Sequence, residues 1–219
     1  MSENVKQREW VRLVAGVVFV VVIIGAFTFL FRDRSQGTAT APPGSSVVAK
    51  DSFGRASGSL ESGKKTTNWK SVRGGWRIAA GAAFVSEPAQ FFNVAVVDAG
   101  LNASINASVS GRGYCGVVAN YVDQNNYLSL VRVEPYGVWN LELHRNGTAQ
   151  LMATIGGTKS VMLKASIAVE APIVTATVGD QHVSVSISDL APGRSAGLYA
   201  ADPNPSECAF DDVVISRPN

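Results

Sequence analysis

The feature that most constrains this chain is an uncharged apolar run, LVAGVVFVVVIIGAFTFLF, at positions 13–31. A helix of this length is about 28 Å long, close to the thickness of about 30 Å of a bilayer's hydrocarbon core. A core helix of a globular domain is rarely apolar on every side. The run therefore predicts a transmembrane helix, which divides the chain into residues 1–12, the span itself and everything that follows.

A cleaved signal peptide is the alternative explanation of this run. The apolar core of such a peptide has about 7–15 residues, and small residues at a cleavage point follow it closely. Residues 39–41 (ATA) match that pattern, but the charged residues 32–34 separate them from the apolar run and Pro42 follows them. We therefore expect a retained anchor in contact with the lipid bilayer through residues 13–31.

Two observations predict the orientation of the anchor. Three basic residues precede the span and two follow it, which favours a cytoplasmic location for residues 1–12. Cys115 and Cys208 are the only cysteines, and an even number beyond a membrane anchor predicts a disulfide and an oxidising compartment. Two separate buried thiols are the alternative. We expect a single-pass cell-membrane protein whose C-terminal domain lies outside the cytoplasm.

Composition changes sharply after the span. Residues 32–46 form a predicted tether, because the segment SQGTATAPPGSS within it is rich in Pro, Gly, Ser and Thr and lacks large apolar residues. From residue 35 onward the chain carries fourteen basic and fourteen acidic side chains, so this part is formally neutral. It has no run of interleaved basic and aromatic residues, which argues against a nucleic-acid partner.

Residues 47–219 read as an all-β domain, because short segments alternate apolar and polar residues between Gly, Asn, Asp and Pro. In residues 101–110, Leu101, Ala103 and the alternate residues after them share one predicted face. Asn146-Gly147 suits a two-residue hairpin turn. Without an amphipathic helix, the pattern predicts a two-sheet antiparallel jelly-roll sandwich. The predicted strands are 76–85, 93–98, 101–110, 114–121, 127–133, 138–145, 150–155, 161–169, 173–178, 181–188, 196–200 and 209–215.

Several short motifs in this domain resemble those of a known family. They are the segments DSFGR at 51–55, GSL at 58–60, Trp69, GW at 75–76, VDA at 97–99, GVV at 116–118, NNY at 125–127, LEL at 141–143, GLYA at 197–200 and AFDDVVI at 209–215. Together they resemble bacterial laminin G-like domains of the concanavalin A-like lectin/glucanase superfamily. The resemblance implies a jelly-roll fold. Members of that superfamily bind sugars, mediate adhesion, cleave glycans or serve as structural modules, so fold alone does not choose a function.

The sequence contains no recognisable catalytic signature. The superfamily's glucanases carry a Glu-x-Asp-x-x-Glu strand motif, which is absent here. Glu134 and Glu142 fall on different predicted strands and would have to meet across a sheet to act as a glycosidase pair. His144 and His182 are the only histidines, and neither lies in a nucleophile motif. We therefore predict that the protein is not an enzyme, with a glycoside hydrolase as the less favoured alternative.

Two kinds of binding site remain to be considered. Zinc would need a cluster of ligands that the chain does not supply, and we predict no cofactor other than a structural calcium ion, for which Asp51, Asp123 and Asp211 are the candidate ligands. A sugar site needs aromatic rings beside polar groups. The candidate residues for that site are Tyr121, Asn125, Tyr127, Tyr136, Trp139 and Arg145, with Tyr199, Asn120 and Asn140 as further neighbours.

Trp139 also has a structural interpretation, because it shares its predicted strand face with Leu141 and Leu143. The predicted function is a membrane-anchored, extracytoplasmic binding module for cell-envelope or surface carbohydrate. The alternative is an accessory or structural subunit of a larger membrane complex. The chain has no G-x-x-x-G pair in its predicted span that would mark a helix partner.

The predicted anchor can be tested with lysines in the middle of the span. A Val21→Lys, Ile24→Lys double variant should leave the carbonate-resistant membrane fraction, because each lysine costs about 2.5–3.5 kcal/mol at the centre of a membrane helix. Val47→Lys with Val48→Lys, outside the span, is the matched control and should stay in the membrane. Protease added to intact cells should digest the wild-type C-terminal domain, and its full protection would contradict the predicted orientation.

Overall fold

The computed structural model describes residues 44–63, 67–157, 160 and 162–219. Sixteen strands and two short 3-10 helices, Leu60–Gly63 and Pro205–Glu207, make up this part of the chain. The strands are β1 (Ser45–Asp51), β2 (Gly58–Ser59), β3 (Lys70–Arg73), β4 (Gly75–Ala79), β5 (Ala82–Glu87), β6 (Phe92–Asp98), β7 (Ser104–Ser110), β8 (Tyr114–Asp123), β9 (Asn126–Val133), β10 (Val138–Arg145), β11 (Thr148–Ile155), β12 (Met162–Glu170), β13 (Ile173–Val178), β14 (Gln181–Ser186), β15 (Ser195–Ala201) and β16 (Ala209–Pro218).

The strands form two antiparallel sheets. One has nine strands in the order β14-β13-β12-β7-β16-β5-β4-β2, with β1 also paired to β16. The other has seven strands in the order β11-β10-β9-β8-β15-β6-β3. Neighbours in both sheets run antiparallel. This arrangement confirms the predicted all-β, two-sheet sandwich.

The main core lies between the inner faces of the two sheets. In β10, Trp139, Leu141 and Leu143 point inward and are at most 4% exposed. The nine-stranded sheet supplies alternate residues of β7, such as Ile105 and Val109, to the same core. A strand's side chains alternate between its faces, so each inward set is matched by an outward set.

Most predicted strands correspond to observed ones, with shifts of a few residues at their ends. Residues 76–85 instead form a hairpin, β4 and β5, joined at Ala80-Gly81. Strands β1, β2 and β3 were not predicted. The turn at Asn146-Gly147 is present, with φ values of 48° and 80°.

The predicted strand 101–110 begins too early, because Leu101 does not belong to it. The strand begins at Ser104, Asn102 has a φ of 57°, and Leu101 is 53% exposed rather than part of the inward face. The positive φ turns the chain and interrupts the period of two before the strand starts. From Ala103 onward the alternation holds.

The predicted disulfide is confirmed. Cys115 and Cys208 are bonded, with their Cα atoms 5.4 Å apart. Cys115 belongs to β8 in the seven-stranded sheet, and Cys208 directly precedes β16 in the nine-stranded sheet. The bond therefore ties one sheet of the sandwich to the other.

The predicted span at residues 13–31 and most of the predicted tether lie outside the described residues. Among the residues from 44 onward that the structure describes, no helix has the length and apolar character needed to cross a membrane.

Removing the disulfide should destabilise the sandwich. The bond closes a loop with a sequence separation of 93 residues, and chain-entropy arguments give up to about 4.7 kcal/mol for a loop of that size. A Cys115→Ala, Cys208→Ala double variant should lose up to this amount of unfolding free energy in urea denaturation. Wild-type protein in excess reductant is the control and should approach the variant's midpoint. Equal midpoints for oxidised wild type and variant would contradict this prediction.

Candidate functional site

The seven-stranded sheet is apolar on its outer face as well as its inner face. In β6, Ala95 and Val97 belong to the main core, whereas Val94 and Val96 belong to a second cluster on the opposite face. A sheet face that only contacts water is expected to be polar. This outer face is therefore the candidate site. Its buried apolar residues are Val94, Val96, Val118, Tyr121, Tyr127, Val131 and Tyr199.

Five rings form a row across this outer face, and we call Phe92, Tyr121, Tyr127, His144 and Tyr199 the outer aromatic cluster. The rings of Phe92 and Tyr199 stack with centroids 5.9 Å apart, and those of Tyr127 and His144 stack at 4.0 Å. Tyr121 stacks on Tyr127 at 5.8 Å. The rings come from five strands, so the sheet's register creates the row.

Two glycines beneath this row allow the strands to approach closely. Gly116 in β8 lies opposite Tyr199, and Gly197 in β15 lies opposite Val118. A Cβ atom at Gly116 would overlap the carbonyl oxygen of Leu130, and one at Gly197 would overlap that of Ala95. Any side chain at either position would therefore push neighbouring strands apart.

A bulge places Tyr121 on the outer face. Ala119 and Tyr121 are two residues apart and would share a face of a regular strand. The register with β9 shifts between Ala119 and Asp123, and Asn120 between them has a φ of 50°. As a result Ala119 lies in the main core, whereas Tyr121 joins the outer aromatic cluster.

Polar groups border the cluster on the side of β9 and β10. The Ser129 hydroxyl lies 3.2 Å from His144 Nε2, and Glu142 Oε2 lies 3.4 Å from the same nitrogen. On the next strand, the Thr154 hydroxyl donates to Asn140 Oδ1 at 3.1 Å. Aromatic rings and hydrogen-bonding groups thus lie side by side on one surface.

The serine, histidine and glutamate do not form a catalytic triad. In a triad, the carboxylate contacts the ring nitrogen opposite the one that contacts serine. Here Ser129 and Glu142 both contact Nε2 of His144, and Ser129 is 0% exposed. These contacts orient the imidazole on Tyr127 and leave the serine hydroxyl unreachable for a substrate.

Burial changes the acidity of the tyrosines in the cluster. Burial raises the pKa of Tyr199 to about 12, and the nearby negative charge of Glu142 adds to the effect. Burial also raises the pKa of Tyr127, with a further contribution from Tyr199. The pKa of Tyr121 is raised by burial and then by the charge of Asp123. The three hydroxyls therefore stay protonated well above neutral pH and can act as hydrogen-bond donors.

Arg73 of β3 covers the opposite end of the row. Its guanidinium carbon lies 4.6 Å from the ring centroid of Phe92. Its nitrogens donate to the carbonyl oxygens of Phe92 (3.0 Å) and Gln90 (2.8 Å), and to Gln124 Oε1 (3.2 Å). Each of the three guanidinium nitrogens therefore has an acceptor within the protein.

The structure brings together some of the predicted sugar-site residues. Tyr121 and Tyr127 lie in the outer aromatic cluster, and Tyr127 and Arg145 line one small depression with His144 and Leu190. Arg145 forms an exposed pair with Asp189, both nitrogen–oxygen distances being 2.5 Å. This hydrogen-bonded pair lowers the pKa of the Asp189 carboxyl and raises that of the Arg145 guanidinium.

The remaining predicted sugar-site residues lie elsewhere. Trp139 is 1% exposed and belongs to the main core. The core position predicted from its strand face is therefore the one observed, and its prediction as a sugar-site residue is wrong. Tyr136 is 77% exposed in the turn between β9 and β10. Asn125 lies in the β8–β9 turn, where its backbone N–H donates to Asp123 Oδ1 at 2.7 Å.

The three predicted calcium ligands have separate surroundings. The Asp51 carboxylate accepts hydrogen bonds from Phe53 N, Arg55 Nη1 and Trp69 Nε1, so its oxygens bind protein donors. Asp123 accepts from the β8–β9 turn, and Asp211 is buried in β16, where it accepts from the N–H of Asp212. Within the described ranges, no group of three or more His, Cys, Asp or Glu residues is arranged to hold a metal ion.

The register also separates the carboxylate pair considered for glycosidase chemistry. Glu142 lies opposite Ser129 on β9, five residues from Glu134. Five residues of a strand span about 16 Å between Cα atoms, whereas the carboxyl groups of retaining and inverting enzymes lie about 5–9.5 Å apart. Glu134 is moreover paired with Arg132 at 2.8 Å.

Sequence reasoning missed Phe92, and it considered His144 only as a catalytic base. The signal that was available is the length of the apolar runs in β6 and β8, FNVAVVD and YCGVVANYVD. A strand that is apolar at consecutive positions is buried on both faces, whereas a solvated face requires alternation. Those runs predict a sheet that buries apolar side chains on its outer face as well as on its inner face.

No family model matches the sequence, and no curated protein is significantly similar to it. Solved structures do share the fold. The carbohydrate-binding module CBM66 of Bacillus subtilis matches with a TM-score of 0.55 and 16% identity, over 68% of this chain and 95% of that one. A Bacillus subtilis protein of unknown function with a galectin-like fold matches with a TM-score of 0.53 and 11% identity, over 80% and 100% of the two chains.

The GH43 protein BlXynB of Bacillus licheniformis also matches, with a TM-score of 0.53 and 13% identity. The match covers 78% of this chain but 39% of that protein. At these identities the three similarities show the fold alone. They support the predicted β-sandwich fold, and the assignment to laminin G-like domains of the concanavalin A-like superfamily stays a prediction.

The raised tyrosine pKa values predict a loss of stability at high pH. The unfolded chain releases the Tyr199 proton near pH 10.0 and the folded chain near pH 12, so the unfolded state binds fewer protons between these values. The stabilisation from Tyr199 is complete below pH 10 and declines by roughly 2–3 kcal/mol as pH rises to 12. Tyr199→Phe should flatten the dependence of unfolding free energy on pH in this window. An unchanged slope in the variant would contradict the assignment.

Proposed function

We propose that this protein is a non-enzymatic carbohydrate-binding module, held at the cell membrane by residues 13–31 with its β-sandwich outside the cytoplasm. The observation that carries the proposal is the outer aromatic cluster, which lies beside polar groups on a sheet face turned away from the main core. The disulfide supports an oxidising compartment. The structural similarity to the module CBM66 supports the same function.

The chemistry of the site suits a sugar ring. A pyranose has apolar C–H faces that pack on aromatic rings and hydroxyls that need hydrogen-bond partners. Phe92 and His144, the two partly exposed rings of the row, supply the packing surface. Glu142, His144 and Asn140 supply acceptors and donors at its border. Each of these three side chains is partly exposed, so a ligand can reach them.

The charges around the cluster favour a neutral sugar. Arg73, the guanidinium that contacts the cluster, already donates to three oxygens of the protein. Glu142 lies beside His144. A carboxylated or sulfated glycan would have to compete with these three protein oxygens for Arg73, and a neutral glycan would not.

A glycoside hydrolase is the competing function, because a GH43 protein shares the fold. Against it stand the wide separation of Glu134 and Glu142 and the buried hydroxyl of Ser129. Release of reducing sugar by the wild-type chain, abolished by Glu142→Gln, would contradict the non-enzymatic proposal.

Binding can be measured with the full 219-residue chain in a polyoxyethylene detergent, which has no sugar headgroup to compete. The probes are neutral hexasaccharides of glucose, xylose, mannose, galactose and fructose, with hexagalacturonate as the acidic counterpart. We expect binding to at least one neutral probe by calorimetry, and an affinity that changes little between 50 and 500 mM salt, as an uncharged ligand requires.

His144→Phe should weaken this binding by about fivefold, because phenylalanine keeps a ring on Tyr127 but loses the polar nitrogens, and one hydrogen bond contributes about 1 kcal/mol. His182→Phe is the matched control, since His182 is exposed on β14 of the other sheet. Equal losses in both variants would argue against the outer face as the site. No binding by the wild type to any hexasaccharide would contradict the proposed function and favour a subunit role, which co-migrating chains on size analysis would then identify.

A further inference from the structure

Phe91 presents an exposed aromatic ring and is the residue that precedes Phe92 of the outer aromatic cluster. It directly precedes β6 and its side chain is 67% exposed. The next residue, Phe92, stacks on Tyr199. A phenylalanine with most of its surface in water gains little from burial, so packing does not explain its presence.

The backbone at Phe91 is also strained. Its φ is 71°, and the N–H of Phe92 donates to the carbonyl oxygen of Gln90 at 3.0 Å. This hydrogen bond closes a three-residue γ-turn with Phe91 at its centre, and γ-turns with positive φ are rare and strained. A bulky residue in this region is an outlier, whereas glycine adopts it without steric cost.

The surrounding structure holds this conformation from two sides. The N–H of Phe91 donates to the Asp202 carboxylate at 2.9 Å, and the N–H of Asp202 donates to the carbonyl oxygen of Phe91 at 2.9 Å. Arg73 of β3 donates to the carbonyl oxygens of Gln90 and Phe92, on either side of the turn. Strained residues that the fold holds in place in this way concentrate at functional sites.

We infer that Phe91 is a ligand-contacting residue whose ring is the solvent-facing platform on which a sugar ring stacks at the edge of the outer aromatic cluster. This inference rests on the proposed function and adds a residue to that site. The strained turn has a role under this inference, because it directs the ring to solvent at the end of the ring row. If no ligand contacted this residue, the strained backbone would favour glycine at this position.

The test compares Phe91→Gly with Phe91→Tyr in the full chain, using the neutral hexasaccharides and detergent described above. Phe91→Gly removes the ring and relieves the strain together, so we expect an unfolding temperature equal to or above that of the wild type. Its affinity should fall by about tenfold, which corresponds to about 1.4 kcal/mol. Phe91→Tyr keeps a ring and should bind within about twofold of the wild type.

Ala80→Gly is the matched control, because Ala80 has a φ of 51° in the β4–β5 turn of the other sheet. It relieves strain elsewhere and should leave binding unchanged. Wild-type affinity in Phe91→Gly would overturn this inference and leave the proposed function intact. A lower unfolding temperature of Phe91→Gly would also overturn it, since the ring would then be retained for packing. Absence of binding by the wild type would overturn both.

Discussion

The burial of alternate side chains between two antiparallel sheets is the constraint on which the rest of this structure depends. Each large apolar residue that leaves water contributes about 1.5–3 kcal/mol, and the inner faces hold side chains as large as Trp139, Leu130 and Phe210. A slip of one residue in any strand would move its whole inward set to the other face. The register is therefore strongly specified, and it also decides which side chains reach the outer face.

The outer aromatic cluster depends on a local departure from the regular alternation of inward and outward side chains. The bulge at Asn120 moves Tyr121 to the outer face, and the same side chain holds a neighbouring loop. Asn120 Oδ1 accepts from the N–H of Gly193 at 2.7 Å, and Nδ2 donates to the carbonyl oxygen of Ala191 at 2.5 Å. One asparagine with positive φ thus links strand geometry, loop position and the composition of the site. Bulges next to binding sites often redirect a side chain in this way.

The sequence predicted the elements of the sandwich much better than the members of its site. Alternation located most of the strands because a half-buried strand has a period of two. Tyr121 and Tyr127 lie together in the outer aromatic cluster, whereas Tyr136, which falls between the predicted strands 127–133 and 138–145, lies in a turn. His144 and Phe92 join Tyr127 only through the pairing of β6, β15, β8, β9 and β10. The strain at Phe91 depends on contacts with Asp202, which is 111 residues away.

The amino-acid sequence alone determined the all-β class and the two-sheet architecture, and it predicted the pairing of Cys115 with Cys208, because periodicity and cysteine number are local or countable properties. It also predicts a membrane anchor from the length and apolarity of residues 13–31, and that anchor stays a prediction. Only the tertiary structure decided that Asp51 binds protein donors, that Trp139 is core and that a row of rings crosses one outer face. Those outcomes depend on strand order and register, which bring together residues that are distant in the chain and that no local pattern relates.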